Sequence, residues 1–181
     1  MRMNTPRIAP LDEGELPEEM RIGFGDGPVL NIFRTLARHP ELAKRWLVFA
    51  NHVLGKSTFP ARERELVILR MGWLCQAGYE WGQHVLIGRA SGLTDEEIER
   101  IADGPEAEGW SDADRWLLRA TDELRSDAFL SDPTWQALAE IYSEQQLMDL
   151  IFTAGQYNLV SMVLNSVGVQ PDAGLPELPQ R

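Results

Sequence analysis

Helix-start signals recur along this chain, and they constrain its fold more than any other feature of the sequence. Hydroxyl residues followed by an acid or a proline begin four segments, at residues 57–63, 94–97, 111–114 and 131–133. Such residues can bind the first backbone N–H groups of a helix and place carboxylates at the positive end of its dipole. No segment shows the strict alternation of apolar and polar residues that is typical of a half-buried strand. The sequence therefore predicts an all-α protein.

Helix-breaking residues divide the chain into roughly eight predicted helices. Pro40 suits the first turn of a helix, whereas Gly55 and Gly92 suit the position after a helix end. The four aliphatic residues at 66–69 are also compatible with a buried strand, but the length of their segment favours a helix. The predicted helices cover residues 29–37, 40–54, 57–74, 79–90, 94–102, 111–124, 131–141 and 143–167.

The length and the two ends of the chain predict its domain organisation. At 181 residues the chain is long enough for one well-buried core and short for two, so we expect a single helical domain over residues 29–170. Residues 1–28 are rich in proline, glycine and acidic residues and predict an extended arm, which ends in the turn-prone residues 23–28. Residues 171–181 carry several helix-breaking residues and predict a loose tail.

The charge balance limits the partners that this chain can bind. Its 28 acidic and 17 basic residues give a formal net charge of −11. Because this surface repels phosphate and no basic cluster interrupts it, we expect neither nucleic acid nor a membrane as a partner. The N-terminus lacks an apolar signal segment, and we expect no stretch of the ~18 apolar residues that span a membrane. The single cysteine cannot form an intramolecular disulfide, so these features together predict a cytoplasmic protein.

The predicted helix at residues 79–90 carries the most suggestive pair of side chains. Glu80 and His84 are four residues apart and therefore share a helix face. A carboxylate at this distance can orient an imidazole and fix its tautomer, which prepares a general acid or base. The alternative is a surface contact worth a few tenths of a kcal/mol. Spacing alone leaves both interpretations open.

Two further polar positions interrupt apolar helices. Glu65 shares a face with Leu69 and Gly72, where a buried carboxylate requires a partner; the alternative is a carboxylate favoured only by the helix dipole. Asn158 lies with Ser161 on a narrow polar stripe of the last helix. This stripe lines a cavity, contacts another subunit or forms hydrogen bonds between helices.

The sequence contains none of the common metal or phosphate motifs. His39 and His52 have no partner at the spacing of a metal ligand. There is no HExxH pattern, no glycine-rich phosphate loop and no GxSxG pattern. We therefore expect neither a metal nor a cofactor.

At Glu65 and at residues 79–84, with the sequence YEWGQH, the chain resembles the carboxymuconolactone decarboxylase / alkylhydroperoxidase D-like family. Residues 60–69, 92–98 and 155–169 carry further similarity, and the resemblance covers residues 28–170. It implies an all-α, alkylhydroperoxidase D-like fold. It also implies a homo-oligomer, commonly a dimer, trimer or hexamer.

The chain departs from the peroxidase branch of that family at its two cysteines. That branch has a glutamate, then C-x-x-C, then a histidine four residues after the second cysteine. The equivalent residues here are Glu65, Ala77, Glu80 and His84. Peroxide reduction requires an attacking thiolate and a resolving thiol, and neither Ala77 nor Glu80 supplies one. The resemblance is therefore to the branch without the cysteine pair, which includes 4-carboxymuconolactone decarboxylase.

This branch implies an acid/base lyase or isomerase that acts on a small carboxylated lactone or organic acid. In that role His84 is the general acid or base, with Glu80 and Glu65 as its catalytic partners. Two alternatives remain. One is a hydroperoxidase that uses Cys75, and the other is a non-enzymatic helical oligomer or small-molecule binding protein.

The same resemblance suggests the groups that bind the substrate. Arg62, or Arg70 in its place, would hold the carboxylates of the substrate. Tyr79 and Asn158 would form hydrogen bonds with it. These assignments complete the predicted site.

Overall fold

The computed structural model describes residues 3–18 and 27–180. A 3-10 turn at Glu13–Glu15 precedes the helices, and the described residues contain no strand. The all-α prediction is confirmed, and the predicted turn at residues 23–28 lies largely outside the described residues. The α-helices are α1 (Asn31–Leu36), α2 (Pro40–Gly55), α3 (Ala61–Leu74), α4 (Gly78–Ala90), α5 (Asp95–Ile101), α6 (Asp112–Ser126), α7 (Asp132–Ala139) and α8 (Glu144–Val167).

Helix α3 is the central helix of the fold, and it packs against α4, α5, α6 and α8. Every residue from 65 to 72 is buried, including Glu65 and Arg70. Because neighbours cover α3 on all sides, it has no polar face, which explains the aliphatic run at residues 66–69. The Arg70 guanidinium donates hydrogen bonds to both carboxylate oxygens of Asp122, at 2.7 and 2.8 Å, and these bonds compensate its burial.

Three of the four predicted helix starts are correct in position, whereas the helix predicted from residue 57 begins at Ala61. The hydroxyl groups at these starts act in two different ways. The hydroxyls of Thr94 and Ser111 accept hydrogen bonds from backbone N–H groups of α5 and α6, as expected. The Ser131 hydroxyl instead donates to Glu123, and the Thr58 hydroxyl donates to Asp149. In these two cases the hydroxyl joins its loop to a neighbouring helix.

Helix α8 is long and apolar enough, by length and composition alone, to cross a membrane. The expectation that no segment has this property is therefore wrong for α8. Half of its 18-residue apolar window is buried inside the fold, against α3 and other helices. The core helix of a helical domain has the same composition, so this feature is weak support for a membrane span.

The described parts of both chain ends contact the helices. Leu16 forms a small buried cluster with Val29 and Ala43, and the Arg7 N–H donates to the carbonyl of Val167 at 2.8 Å. At the other end, Asp172 accepts hydrogen bonds from α1 and α4. The division into arm, domain and loose tail stays a prediction.

Candidate functional site

A pocket with a volume of about 180 Å³ lies between α1, α2, α4 and α8. Most of its wall is apolar, with Phe33, Leu47 and Val160 among the contributing side chains. His84 and Glu80 also line it. With Tyr79, the pocket therefore places three predicted site residues against a mostly apolar wall.

A short polar contact at this pocket joins His84 to Glu65. The Nδ1 atom of His84 lies 2.6 Å from Oε2 of Glu65, and the glutamate side chain has no solvent exposure. Arg64 lies 3.2 Å from the other oxygen of Glu65 and compensates the buried charge. With Glu65 as the acceptor, Nδ1 carries the proton and Nε2 carries the lone pair. Nε2 makes no hydrogen bond to any residue that the structure describes, so it is available to a ligand.

The predicted pair of Glu80 and His84 is wrong. Both residues lie on one face of α4, but α3 packs against this face and brings Glu65 to the imidazole. Glu80 instead accepts a hydrogen bond from the hydroxyl of Ser161 on α8, at 3.0 Å. A contact between helices has replaced the local one. His84 thus has a carboxylate partner, as predicted, and that partner is the other predicted glutamate.

Glu80 is a buried carboxyl group with one unsatisfied oxygen. Its Oε1 has no hydrogen-bond partner in the described part of the chain. Burial raises the pKa of Glu80 well above its ordinary value; the charge of Glu65 raises it further, whereas the Ser161 hydrogen bond lowers it. Its surroundings therefore favour the protonated form of the carboxyl group. A Cβ atom on Gly72 would lie 3.1 Å from Oε1, so this glycine makes room for Glu80.

Tyr157 is a pocket residue that the sequence analysis does not select. Its ring packs edge-on against His84, with 4.7 Å between the ring centroids. Burial raises the pKa of Tyr157 well above its ordinary value, and the charges of Glu65 and Glu80 add to the effect. The hydroxyl keeps its proton at neutral pH and can donate it in a hydrogen bond.

Tyr79 lines the pocket, but its hydroxyl is already bound. It donates to Asp172 at 2.6 Å and accepts from the N–H of Ile32 at 3.2 Å. The amide of Gln83 lies 3.4 Å away and supplies a further donor. A phenol has one donor and two lone pairs, so the hydroxyl has no capacity left for a substrate. The structure does not support the prediction that this hydroxyl binds substrate.

Arg62 and Asn158, also predicted to bind substrate, do not line the pocket. The Arg62 guanidinium forms ion pairs with Asp114 and Glu97. The side-chain oxygen of Asn158 lies 3.4 Å from the sulfur of Cys75, so the polar stripe of α8 forms hydrogen bonds between helices. The structure thus places Glu80, His84 and Tyr79 in the pocket wall and joins Glu65 to it through His84, and it leaves these two residues outside.

Cys75 is poorly placed for peroxide chemistry. It is only 5% exposed, its sulfur lies 3.9 Å from that of Met71, and it does not line the pocket. A reactive thiolate requires access and a positive environment. No group of three His, Cys, Asp or Glu side chains within residues 3–18 and 27–180 could hold a metal ion.

Solved structures share this fold. One is a peroxidase-related protein with an AhpD core from Ralstonia eutropha JMP134: the TM-score is 0.82, the identity 17%, and the match covers 94% of each chain. A peroxidase-related protein from Silicibacter sp. TM1040 has a TM-score of 0.81 and 18% identity, over 94% of this chain and 95% of that one. The debrominase Bmp8, as a variant bound to 2,3,4-tribromopyrrole, has a TM-score of 0.76 and 17% identity over 94% of each chain. At these identities the likeness shows the fold alone.

A comparison of sequences supports the predicted resemblance. Residues 40–123 match the model of the carboxymuconolactone decarboxylase family, and this region contains Glu65, Glu80 and His84. The match agrees with the family that the residues predict. No curated protein matches the chain.

Proposed function

We propose that the protein is a cofactor-independent acid/base lyase or isomerase that acts on a small lactone or related carbonyl compound. The observation that carries the proposal is the 2.6 Å contact between His84 Nδ1 and Glu65 Oε2 at an apolar pocket. A carboxylate that accepts a hydrogen bond from Nδ1–H fixes the tautomer of the imidazole, and Nε2 is then the atom that can act as a base. The match of residues 40–123 to the carboxymuconolactone decarboxylase family model supports the reaction class.

Proton abstraction next to a carbonyl is the step that this arrangement supports best. His84 Nε2 takes the proton from carbon, and Glu65 stabilises the resulting imidazolium. The electron pair of the broken C–H bond moves onto the carbonyl oxygen, which becomes an enolate. His84 then returns the proton to a different carbon, which completes an isomerisation. In a lyase the bond between carbon and a substrate carboxylate breaks instead, its electron pair forms the enolate as carbon dioxide leaves, and a protonated His84 then donates its proton to that carbon.

Two neutral donors at the pocket suit the enolate oxygen. Tyr157 keeps its hydroxyl proton because burial raises its pKa. The indole Nε1 of Trp46, on α2, is buried without a hydrogen-bond partner among the described residues, and Trp46 lines the pocket. A buried donor without a partner is costly, so an oxygen of the substrate would satisfy it. A Trp46→Phe variant, which keeps an aromatic ring but loses the N–H and part of the ring volume, should raise KM.

The pocket suits a substrate that presents a carbonyl rather than a free carboxylate. Arg62 and Arg70, the predicted carboxylate ligands, are bound to Asp114 and Asp122. An unpaired carboxylate loses its hydration when it enters an apolar pocket, and that loss is costly. We therefore propose an uncharged lactone ring as the group that binds next to His84.

α-Angelica lactone is a suitable probe because its isomerisation to the conjugated lactone needs only proton transfer. Proton NMR in D₂O reports both the isomerisation and the incorporation of deuterium. We expect His84→Ala and Glu65→Gln to lower kcat/KM by about 10²- to 10⁴-fold. His52→Ala is the matched control, because His52 is half-exposed, pairs with Asp149 and lies outside the pocket.

Full turnover by His84→Ala would refute the acid/base role. A wild-type protein that binds the lactone without isomerising it would instead support a small-molecule binding protein. The hydroperoxidase alternative requires peroxide consumption that disappears in Cys75→Ser.

We also propose that the protein is a cytoplasmic homo-oligomer whose contact face lies on α8 and α2. Phe152, Leu159 and Met162 on α8 are each about half exposed, and Val48 on α2 is 73% exposed. Residues 150–171 contain no charged side chain. In a protein with a net charge of −11, an uncharged apolar face is where two copies can meet with least repulsion. A second copy of this chain is the occupant that we propose for this face.

A further inference from the structure

The segment after Pro171 contacts residues that line the pocket. Asp172 is the centre of these contacts. Its Oδ2 accepts hydrogen bonds from the hydroxyl of Tyr79 at 2.6 Å and from the amide of Gln83 at 2.8 Å. Its Oδ1 accepts one from the backbone N–H of Asn31 at 3.0 Å. One carboxylate therefore joins α4 to the first turn of α1 at the pocket wall.

Gly82 shows how closely this segment lies on α4. A Cβ atom on Gly82 would lie 2.9 Å from Cβ of Leu175 and 2.9 Å from the carbonyl oxygen of Pro176. Leu178 then packs against the main hydrophobic core. Residues 172–178, called the strap below, are thus held at both ends, by Asp172 and by Leu178.

Asp172 of the strap accepts hydrogen bonds from the polar side chains on this side of the pocket. The only O–H of Tyr79 donates to Asp172, and one N–H of Gln83 donates to the same oxygen. Burial raises the pKa of Tyr79 above its ordinary value, and the hydrogen bond to Asp172 raises it further, so the hydroxyl remains a donor. Without Asp172 these donors would need water or a ligand as their partner.

We propose that Asp172 is a positioning residue of this site: it turns Tyr79 and Gln83 away from the ligand and holds α1 against α4. The strap does not itself line the pocket, so it acts on the ligand through these wall residues. The inference rests on the proposed function only in taking this pocket as the binding site. It does not require His84 or Glu65 to be catalytic. We therefore expect a ligand that is apolar on this side to bind more tightly when Asp172 holds Tyr79 and Gln83 than when it does not.

Binding of N-phenyl-1-naphthylamine, a neutral fluorescent probe of apolar pockets, tests this proposal in the full chain. Asp172→Asn keeps the size of the side chain but replaces one oxygen by an NH₂ group that cannot accept. We expect this variant to raise the probe Kd by about tenfold, the effect of one hydrogen bond to a charged group. Glu177→Gln removes an exposed carboxylate of the same strap and should leave Kd unchanged. Signal that survives Ala50→Phe, which fills the pocket, comes from other sites and is subtracted.

A double-mutant cycle separates positioning from general stability. Tyr79→Phe removes the donor to Asp172, so it should raise Kd in the wild type and have no further effect in Asp172→Asn. Hydrogen exchange in α1 should rise in both single variants. If Asp172→Asn lowers only the folded fraction, the fluorescence amplitude falls at an unchanged Kd, and the proposal is overturned.

A steric variant provides an independent test. Gly82→Ala forces the strap away from α4 and should weaken the probe as Asp172→Asn does. Gly14→Ala is the control, because a Cβ there meets no atom within 4 Å and Gly14 lies outside α2 and α8, which carry the proposed contact face. Wild-type probe affinity in both Asp172→Asn and Gly82→Ala would refute the role of the strap. Turnover is not measured, so failure of the lactone assay leaves these outcomes unaffected.

Discussion

Glu80→Gln should change the pH dependence of stability, and this prediction follows from the burial of one carboxyl group. Burial raises the pKa of Glu80 well above its ordinary value of 4.5, and Glu65 adds to this effect. An acid with a raised pKa in the folded state binds more protons there than in the unfolded state. The free energy of unfolding therefore falls as the pH rises above the unfolded value, and it stops falling once the pH passes the folded pKa.

The magnitude follows from linkage. While the pH lies between the two pKa values, each pH unit removes about 1.4 kcal/mol from the free energy of unfolding. Glu80→Gln removes this titration and keeps an oxygen for the Ser161 hydrogen bond. Its amide nitrogen takes the place of the unsatisfied Oε1, at a constant cost of about 1–3 kcal/mol at every pH. Relative to the wild type, the variant should therefore gain stability as the pH rises above the unfolded pKa of Glu80, and the gain should end once the pH passes the folded pKa.

Urea denaturation at a series of pH values measures the difference between the two proteins. Glu123→Gln is a control with the opposite sign. Burial raises the pKa of Glu123, but hydrogen bonds from Ser131 and Thr134 outweigh it and lower the pKa overall. The free energy of unfolding of the wild type should therefore fall, relative to that of Glu123→Gln, as the pH falls through the folded pKa of Glu123. Parallel stability curves for the wild type and Glu80→Gln would refute the reasoning for Glu80.

Three further predictions concern other parts of the fold. Gly72→Ala brings a methyl group to 3.1 Å from Glu80 Oε1 and should lower the free energy of unfolding by about 1 kcal/mol, whereas Gly155→Ala, with open space around it, should gain up to about 1 kcal/mol; urea denaturation compares them. Phe152→Glu places a charge on the proposed contact face and should lower the oligomer mass in analytical ultracentrifugation, and an unchanged mass would contradict that face. Cys75→Ser should leave lactone turnover within about twofold of the wild type, because Cys75 lies outside the pocket; a large loss in a stable variant would contradict the assignment.

The sequence predicts the helices well because their starts and ends depend on local residues. The predicted helix at residues 143–167 begins one residue before α8 and ends with it, since Ser143 and Gln146 form a capping box and Gly168 adopts a positive φ of 76°. The helix predicted from residue 57 is less accurate. Its loop residues pair with α8, and α3 begins at Ala61.

The site is harder to predict because its contacts join distant residues. Spacing correctly places Glu80 and His84 on one face of α4. It cannot show that α3 packs against this face and brings to it Glu65, which precedes His84 by 19 residues in the chain. Tyr157 gives a weak signal, since it interrupts an aliphatic run. Asp172 gives none, because it lies among helix-breaking residues and acquires its role only through contacts with α1 and α4.

The single cysteine has a practical consequence for measuring motion in this protein. Cys75 is the only thiol in the sequence, it is 5% exposed, and it contacts Asn158 across the junction of α3 and α8. A thiol reagent can reach it only when that junction opens, so the labelling rate reports the opening equilibrium directly. The labelling rate of Cys75 in the native protein therefore measures how often α3 and α8 separate. A comparison of this rate with and without a pocket ligand would show how far binding suppresses the separation.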